Sequence, residues 1–253
     1  MSISDGVFRN SIIACKKCPR LVDYLLETKN HQRKNGFSKK DYWSKPVPSF
    51  GSIYSKILIV GLAPGRHGAN RTGRPFTGDY AGKILYRALY ETKLSNTEEA
   101  KSLNDRLELK NVRITNSVKC APPNNKPSNS EIQNCRPYLI EEIRMMKNLK
   151  FVLALGTVAH KQVVYSIGEK QNHFKFTHCK IHQIPNKKWK LVNSYHPSRY
   201  NINTKRLSYN MFLEVIKKLD LLPQQVLIEV LIIDLQVDES TRKGIEWILE
   251  GEK

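Results

Sequence analysis

The stretch Gly61–Asp79, GLAPGRHGANRTGRPFTGD, decides how the chain folds. An apolar run, Ile57–Val60, leads into it, and a segment with helical apolar spacing, Tyr80–Thr92, follows it. A strand that ends in a glycine-rich loop and then opens a helix is a common ligand site in α/β proteins, because glycines let a ligand approach the backbone and a helix N-terminus attracts anions. The loop has neither a Gly-Lys-Ser/Thr ending nor G-x-G-x-x-G spacing. The pattern therefore predicts a site and leaves its ligand open.

Outward from this stretch, apolar runs alternate with segments of helical spacing. We predict four buried strands, at Lys56–Gly61, Val112–Asn116, Phe151–Leu155 and Leu191–Ser194. We also predict four principal helices, at Tyr80–Thr92, Glu131–Asn148, Val158–Tyr165 and Lys205–Leu219. Such alternation is typical of a parallel sheet covered by helices on both faces. Because ligands of these sheets bind beyond the carboxyl ends of the strands, loops 61–79, 116–129 and 195–201 are expected to converge on one cleft.

Local signals add detail between these elements. Ser128 or Ser130 is expected to cap the helix at 131, and Thr157 the helix at 158. Segment 96–109 is charged and compatible with a helix, whereas 168–188 shows no clear period. Residues 31–50 interleave aromatic and basic side chains, which predicts a surface loop suited to unpaired bases.

The charge of the chain is uneven. The 253 residues carry a net charge of +19, but residues 220–253 hold eight acidic and three basic side chains, a net of −5, so residues 1–219 carry +24. A strongly basic body favours a polyanionic partner, nucleic acid before an anionic membrane. We therefore predict a basic domain at 1–221 and an acidic appendage at 222–253. The appendage is expected to be either an added strand at 226–237 with a short helix at 239–249, or an oligomer contact.

No stretch reaches the roughly 18 apolar residues of a membrane span, and the N-terminus lacks the apolar core of a signal peptide. We expect a cytoplasmic protein without a membrane partner. In that compartment its five cysteines are expected to be metal ligands or free thiols rather than disulfides.

Four of the cysteines form two pairs, Cys15-x2-Cys18 and Cys120-x14-Cys135. Four thiolates in tetrahedral arrangement suit zinc or an iron–sulfur cluster. The wide second pair favours a cluster, and zinc remains the alternative. Cys179, which lies close to two histidines in the sequence, is expected to be a lone, partly buried thiol.

The motifs together resemble the iron–sulfur uracil-DNA glycosylases, and within them the type-b, or family 5, group. The resemblance covers roughly residues 10–220 and rests on the CxxC pair, the 61–79 loop, the run ITNSVKCAPP with Cys135 downstream, and His196-Pro197-Ser198. It implies a three-layer α/β/α sandwich around a four-stranded parallel sheet, and a [4Fe–4S] cluster on Cys15, Cys18, Cys120 and Cys135. Related type-a enzymes carry glutamate in place of Leu62, and the common uracil glycosylases carry aspartate where Ala63 lies. The lack of a carboxylate here is the type-b mark.

The resemblance also implies roles for individual residues around a base that is flipped out of the duplex. Phe76 would stack on the base, and Asn116 would read its edge. Gly61 and Ala63 would line the pocket. His196 would donate a hydrogen bond to the base oxygen as negative charge develops on the leaving group.

Two further sets of residues complete the predicted site. Asp79, the only acid of the loop, would either activate water or cap the helix that follows, and Asn70 would position the water. Phosphate contacts are expected from the residues Arg71, Arg74, Ser198 and Arg199. The main hypothesis is a monomeric, monofunctional glycosylase that removes uracil, hypoxanthine and xanthine from DNA in base-excision repair. The alternative is a non-catalytic nucleic-acid-binding protein with a structural metal site of four cysteines.

Overall fold

A computed structural model of the chain describes residues 4–220, which belong to one compact unit, Met1–Leu221. Its strands are β1 Ile57–Gly61, β2 Val112–Asn116, β3 Phe151–Leu155, β4 Ile181–Gln183 and β5 Lys190–Ser194. Its helices are α1 Asp5–Ile13, α2 Pro19–Asn30, α3 Ala69–Thr72, α4 Tyr80–Glu91, α5 Asn129–Met145, α6 Thr157–Ser166, α7 Arg199–Asn203 and α8 Tyr209–Asp220. None of these helices is long and apolar enough to cross a bilayer. The strand and helix predicted within 222–253 lie outside the described residues.

The strands form one sheet in the order β2-β1-β3-β5-β4. The four predicted strands are parallel to one another, whereas β4 runs antiparallel to β5 at one edge. This fifth strand was missed because it is three residues long and buries only His182. A strand of three residues is too short to show an alternation of apolar and polar side chains within the segment 168–188.

Helices cover both faces of the sheet, as predicted. Successive side chains of a strand point to opposite faces. Ile57 and Ile59 of β1 join the core that contains α4 and α8, whereas Leu58 and Val60 join the core that contains α5 and α6. Burial on both faces explains why β1 and β3 appear in the sequence as continuous apolar runs.

Helix ends follow the sequence in some places and not in others. Ser128 caps α5 and forms a capping box with Glu131. The predicted Thr157 cap is wrong, because the residue before α6 is Gly156, with a φ of 92° and no side-chain bond. The helix predicted at 205–219 is confirmed as α8, but it begins at Tyr209 rather than at Lys205. Lys205 has a φ of 57°, a left-handed conformation that is not helical. The short helix α7 was not predicted.

The segment 96–109 is not helical, because tertiary contacts take up its backbone. The carboxylate of Asp105 accepts hydrogen bonds from the backbone N–H groups of Lys101, Ser102 and Leu107. It also pairs with the guanidinium of Arg74. A carboxylate that binds nearby backbone donors competes directly with helical hydrogen bonding.

Next to β2 lies a set of charges, here called the Glu142 group, in which Glu142, Arg113 and Lys119 are buried and Asp5 is partly exposed. Arg113 Nε lies 2.7 Å from Glu142 Oε1, and Arg113 Nη2 lies 2.8 Å from Asp5 Oδ1. Lys119 Nζ lies 3.3 Å from Glu142 Oε2. The group ties α1, β2 and α5 together. Burial acts to raise the pKa of Glu142, but the ammonium of Lys119 and the guanidinium of Arg113 outweigh it and lower the pKa to about 2.

Glu142→Ala is expected to lower the free energy of unfolding by about 3–5 kcal/mol, because it removes the counter-ion of buried Lys119 and one of the two carboxylates that pair with buried Arg113. Urea denaturation near neutral pH measures the loss. The control, Glu141→Ala on the same helix, breaks an exposed pair with Arg144 and should cost less than about 1 kcal/mol. Equal losses in the two variants would contradict the role of the Glu142 group.

The same carboxylate predicts acid sensitivity. Its folded pKa of about 2 lies below the ordinary value of 4.5, so its stabilising contribution is full above pH 4.5 and is lost as the pH falls toward 2.

Candidate active site

Three loops at the carboxyl ends of β1, β2 and β5 meet at one cleft of about 770 Å³. Its wall is formed by the 61–79 stretch, the start of α4, Asn116 and the loop at 196–199. Lys34, from the loop after α2, and Asn125, from the loop between β2 and α5, also line it. Asp79 is the only acid among the lining residues of the described chain. The basic lining residues outnumber it: Lys34, Arg66, Lys83 and Arg199. The cleft therefore suits an anionic ligand.

The floor of the cleft brings together Phe76, Asn116 and His196 around the end of β1. The rings of Phe76 and His196 are 5.9 Å apart at an interplanar angle of 30°. Gly61 has no room for a side chain, because a Cβ there would lie 2.7 Å from Phe76 Cζ and would also overlap Asn116 Oδ1. Asn116 is 3% exposed, and its Oδ1 has no hydrogen-bond partner within residues 4–220. A buried acceptor without a partner is suited to a ligand donor.

Phe76 is held in an unusual backbone conformation. Its φ is 52°, a region that aromatic residues rarely occupy. Gly82 permits this because any Cβ at that position would overlap the Phe76 carbonyl oxygen. Next to it, the hydroxyl of buried Tyr86 donates a 2.9 Å hydrogen bond to the carbonyl of Pro75.

Arg74 corrects one of the predicted phosphate contacts. It is 2% exposed, and its Nη1 donates a 2.8 Å hydrogen bond to Asp105 Oδ1. Its Nε donates to Thr77 Oγ1 at 3.0 Å. The guanidinium is fully used inside the protein, so Arg74 fixes the Phe76 loop and is not available to a phosphate.

Asp79 fills the capping role, one of the two roles that the sequence left open. Its Oδ1 accepts a 2.8 Å hydrogen bond from Gly82 N and caps α4. Its Oδ2 faces the turn that contains Gly65 and Gly68, where a Cβ on Gly65 would lie 3.0 Å from it. Burial raises the pKa of Asp79, and the backbone N–H groups of Gly82 and Ala81 act against that rise. One carboxylate oxygen is thus structural, and the other borders the cleft.

Asn70 does not line the cleft. Its side chain is fully buried in α3, and its Nδ2 donates a 3.2 Å hydrogen bond to the carbonyl of Arg66. Its Oδ1 is buried and has no partner within residues 4–220. Such an acceptor suits an ordered water. The predicted role of Asn70 in positioning the attacking water stays a prediction, and the residue is set back from the cleft wall.

His196 is a neutral donor or acceptor at physiological pH. Burial lowers its pKa to about 4, so the ring carries a single N–H. Its carbonyl accepts a 2.8 Å hydrogen bond from Asn201 Nδ2. The preceding residue, Tyr195, stacks on His178 at 5.1 Å and donates its backbone N–H to His178 Nδ1 at 3.2 Å. These contacts fix the loop that carries His196.

The remaining predicted phosphate contacts differ in their position. Ser198 and Arg199 line the cleft, although Ser198 Oγ also caps α7 by accepting from Asn201 N at 3.3 Å. Arg71 does not line it, because its guanidinium packs on the ring of Phe37 at 4.3 Å. Sequence reasoning missed the lining residues Lys34, Arg66, His67 and Lys83. The basic and aromatic composition of residues 31–50 was the available signal for Lys34.

The four paired cysteines lie together at a second site. Cys15, Cys18, Cys120 and Cys135 all line one cavity between the ends of α1 and α2, the loop after β2, and α5. The backbone N–H of Lys119 donates to Cys135 Sγ at 3.2 Å. Cys179 is elsewhere, where its Sγ contacts Lys218 Nζ at 3.1 Å.

Comparison with known proteins agrees with this arrangement. Residues 48–220 match the family model of the uracil DNA glycosylase superfamily. The chain is 41% identical over 209 residues to a type-5 uracil-DNA glycosylase of Thermus thermophilus, an alignment that covers 83% of this chain and 94% of that relative. A type-5 uracil-DNA glycosylase of Pyrobaculum aerophilum is 39% identical over 211 residues, with 83% and 90% covered. The chain belongs to the uracil-DNA glycosylase superfamily.

A type-4 uracil-DNA glycosylase of Pyrobaculum aerophilum is 33% identical over 160 residues, which cover 62% of this chain and 74% of that relative. The type-5 relatives match at 37–41% identity, whereas the type-4 relatives match at 28–33%. Within the superfamily this protein is therefore a member of the type-5 group, which confirms the resemblance drawn from the motifs.

Proposed function

We propose that this protein is a DNA glycosylase that hydrolyses the N-glycosidic bond of uracil in DNA. The observation that carries the proposal is the meeting of Phe76, Asn116 and His196 around one pocket at the end of β1. The +24 charge of residues 1–219 supports DNA as the partner, and the type-5 relatives carry that activity in their names. We further propose that it acts as a monomer, because one chain supplies every residue that lines the described cleft. The cytoplasmic location expected from the sequence stays a prediction.

Each floor residue has a distinct part in the proposed reaction. The nucleotide leaves the base stack and enters the cleft. Phe76 provides a stacking surface, and the unpartnered Oδ1 of Asn116 accepts a hydrogen bond from the base edge. As the bond to the sugar breaks, negative charge develops on the base. The N–H of neutral His196 donates to the base oxygen and stabilises that charge.

The attacking water is proposed to bind at the turn between Gly65 and Asn70. Asp79 Oδ2 borders one side of this turn, and Asn70 lies at its other end. We propose that Asp79 Oδ2 orients the attacking water and that Asn70 Oδ1 holds a water behind it. Because the sugar becomes oxocarbenium-like, a positioned water is a sufficient nucleophile.

Asp79→Asn separates the two functions of this residue. Asparagine caps helices about as well as aspartate, so the variant should keep the melting temperature of the wild type. It removes the carboxylate, and uracil release from a single-uracil duplex should fall by about 100-fold if Asp79 assists the water. Asp79→Ala should lose both the activity and the cap. Undiminished uracil release by Asp79→Asn would exclude the carboxylate from the reaction. If the wild type bound the duplex but released no uracil, the proposed glycosylase activity would be refuted.

We propose a base range that includes hypoxanthine and xanthine. Leu62 and Ala63 put no charge on the cleft wall, and the Asn116 amide offers both a donor and an acceptor. Neither feature restricts the pocket to uracil.

A panel of duplexes that differ only in the damaged base tests this range. The wild type should release uracil, hypoxanthine and xanthine. Ala63→Val narrows the cleft and should reduce release of the two larger purines more than that of uracil, with the melting temperature as the control for overpacking. Release of uracil alone by the wild type would contradict the broad range.

We propose that the four paired cysteines hold a [4Fe–4S] cluster. They share one cavity, which suits a site of four thiolates. The wide spacing of Cys120 and Cys135 in the sequence favours the cluster over zinc. Its part would be structural, since it would join α1 and α2 to α5 at a distance from the cleft floor.

Anaerobic purification tests the cluster directly. The wild type should show a broad visible absorbance with equal amounts of iron and acid-labile sulfide. Cys120→Ser should lose that absorbance and melt at a lower temperature, whereas the control Cys179→Ser should retain both. Stoichiometric zinc without a visible band would overturn the cluster and leave a zinc site of four thiolates.

A further inference from the structure

His67 lies in the cleft wall, and the proposed reaction gives it no part. Its ring is fixed from behind by Tyr42, a residue that is only 2% exposed. The Tyr42 hydroxyl lies 2.7 Å from His67 Nδ1, and the two rings meet edge to face with their centroids 6.1 Å apart. A buried phenol that holds an imidazole at the cleft surface defines the orientation of that ring.

The hydrogen bonds around Tyr42 determine which nitrogen of His67 carries the proton. The backbone N–H of Lys34 donates to the Tyr42 oxygen at 2.9 Å. With that acceptor position filled, the phenol proton is free to go to His67 Nδ1. A neutral imidazole has one donor and one acceptor nitrogen. Because Nδ1 accepts from Tyr42, Nε2 carries the N–H.

The ring stays neutral in a positively charged part of the cleft. Burial lowers the pKa of His67, and the nearby charges of Arg66, Lys34 and Arg71 lower it further. In residues 4–220 the Nε2 atom has no hydrogen-bond partner in the protein. His67 thus presents a directed, uncharged donor in a wall that also carries two cationic side chains, Lys34 and Arg66.

We propose that His67 Nε2–H binds a backbone phosphate of the DNA strand that carries the flipped nucleotide. The cations around it attract an anion, and phosphate oxygens are the anionic acceptors that DNA presents along its backbone. Lysine and arginine supply attraction, whereas the fixed imidazole supplies direction. His67 lies outside the set of phosphate contacts predicted from the sequence. The inference rests on the proposed excision of uracil from DNA.

A chemical scan of the substrate identifies the contacted phosphate. Single-uracil duplexes are prepared with an uncharged methylphosphonate at each phosphate near the uracil in turn. At one position the replacement should lower kcat/KM of the wild type by about tenfold, the usual size of a lost hydrogen bond to a charged group. His67→Ala should show a similar loss on the natural duplex and almost no further loss at that position.

Three variants separate a donor from a merely structural ring. His67→Gln places an amide N–H near the Nε2 position and should recover most of the activity lost in His67→Ala. Tyr42→Phe should weaken the contact to that same phosphate and so reduce excision. The reason is that His67 Nδ1 loses the Tyr42 proton that selects the tautomer. His31→Ala, an exposed histidine outside the cleft, should behave as the wild type throughout.

Salt dependence distinguishes a neutral donor from a cation. Replacing Lys34 by alanine should reduce the slope of log affinity against log salt by about 0.9, because one counterion fewer is released. His67→Ala should weaken binding without changing that slope. Identical methylphosphonate profiles for the wild type and His67→Ala would overturn the phosphate contact. Failure of the wild type to release uracil from the natural duplex would instead refute the proposed function.

Discussion

The left-handed backbone of Phe76 is the constraint on which the cleft depends. A side chain in that conformation costs about 1–3 kcal/mol and persists only where its surroundings fix it. Gly61 and Gly82 leave the space that the ring and carbonyl need. The buried pair of Arg74 and Asp105 clamps the same loop. An arginine in a DNA-binding loop thus serves the shape of the pocket rather than its charge.

The sequence was most informative for strands that are buried on both faces of the sheet. The four parallel strands are buried on both faces. β1 and β3 are apolar throughout and appear as uninterrupted runs, whereas β2 and β5 also bury polar side chains such as Arg113 and Asn193. The ends of all four strands were predicted to within one residue. β4 gives no such signal, because it sits at the sheet edge and buries only His182. Segment 96–109 has helical composition, yet Asp105 binds its backbone and the distant Arg74. That choice depends on tertiary contacts, which composition does not contain.

The candidate site divides in the same way. Phe76, Asn116 and His196 follow the ends of parallel strands, so the topology alone predicts that they meet. Lys34 lines the cleft although its loop is far from any strand end, whereas Arg74 does not line it because it pairs with Asp105, 31 residues away in the sequence. Apolar periodicity in the sequence predicts neither contact. The orientation of His67 likewise requires Tyr42, whose proximity only the folded chain establishes.

The charges of the Glu142 group also set how the fold responds to heat. Hydration of ions becomes less favourable as temperature rises, so the cost of burying Glu142, Arg113 and Lys119 shrinks on warming, whereas the gain from apolar burial levels off. The contacts that make the protein vulnerable to acid therefore account for a growing share of its stability at high temperature. Heat tolerance in this fold can rest on a few enclosed charges rather than on a larger apolar interior.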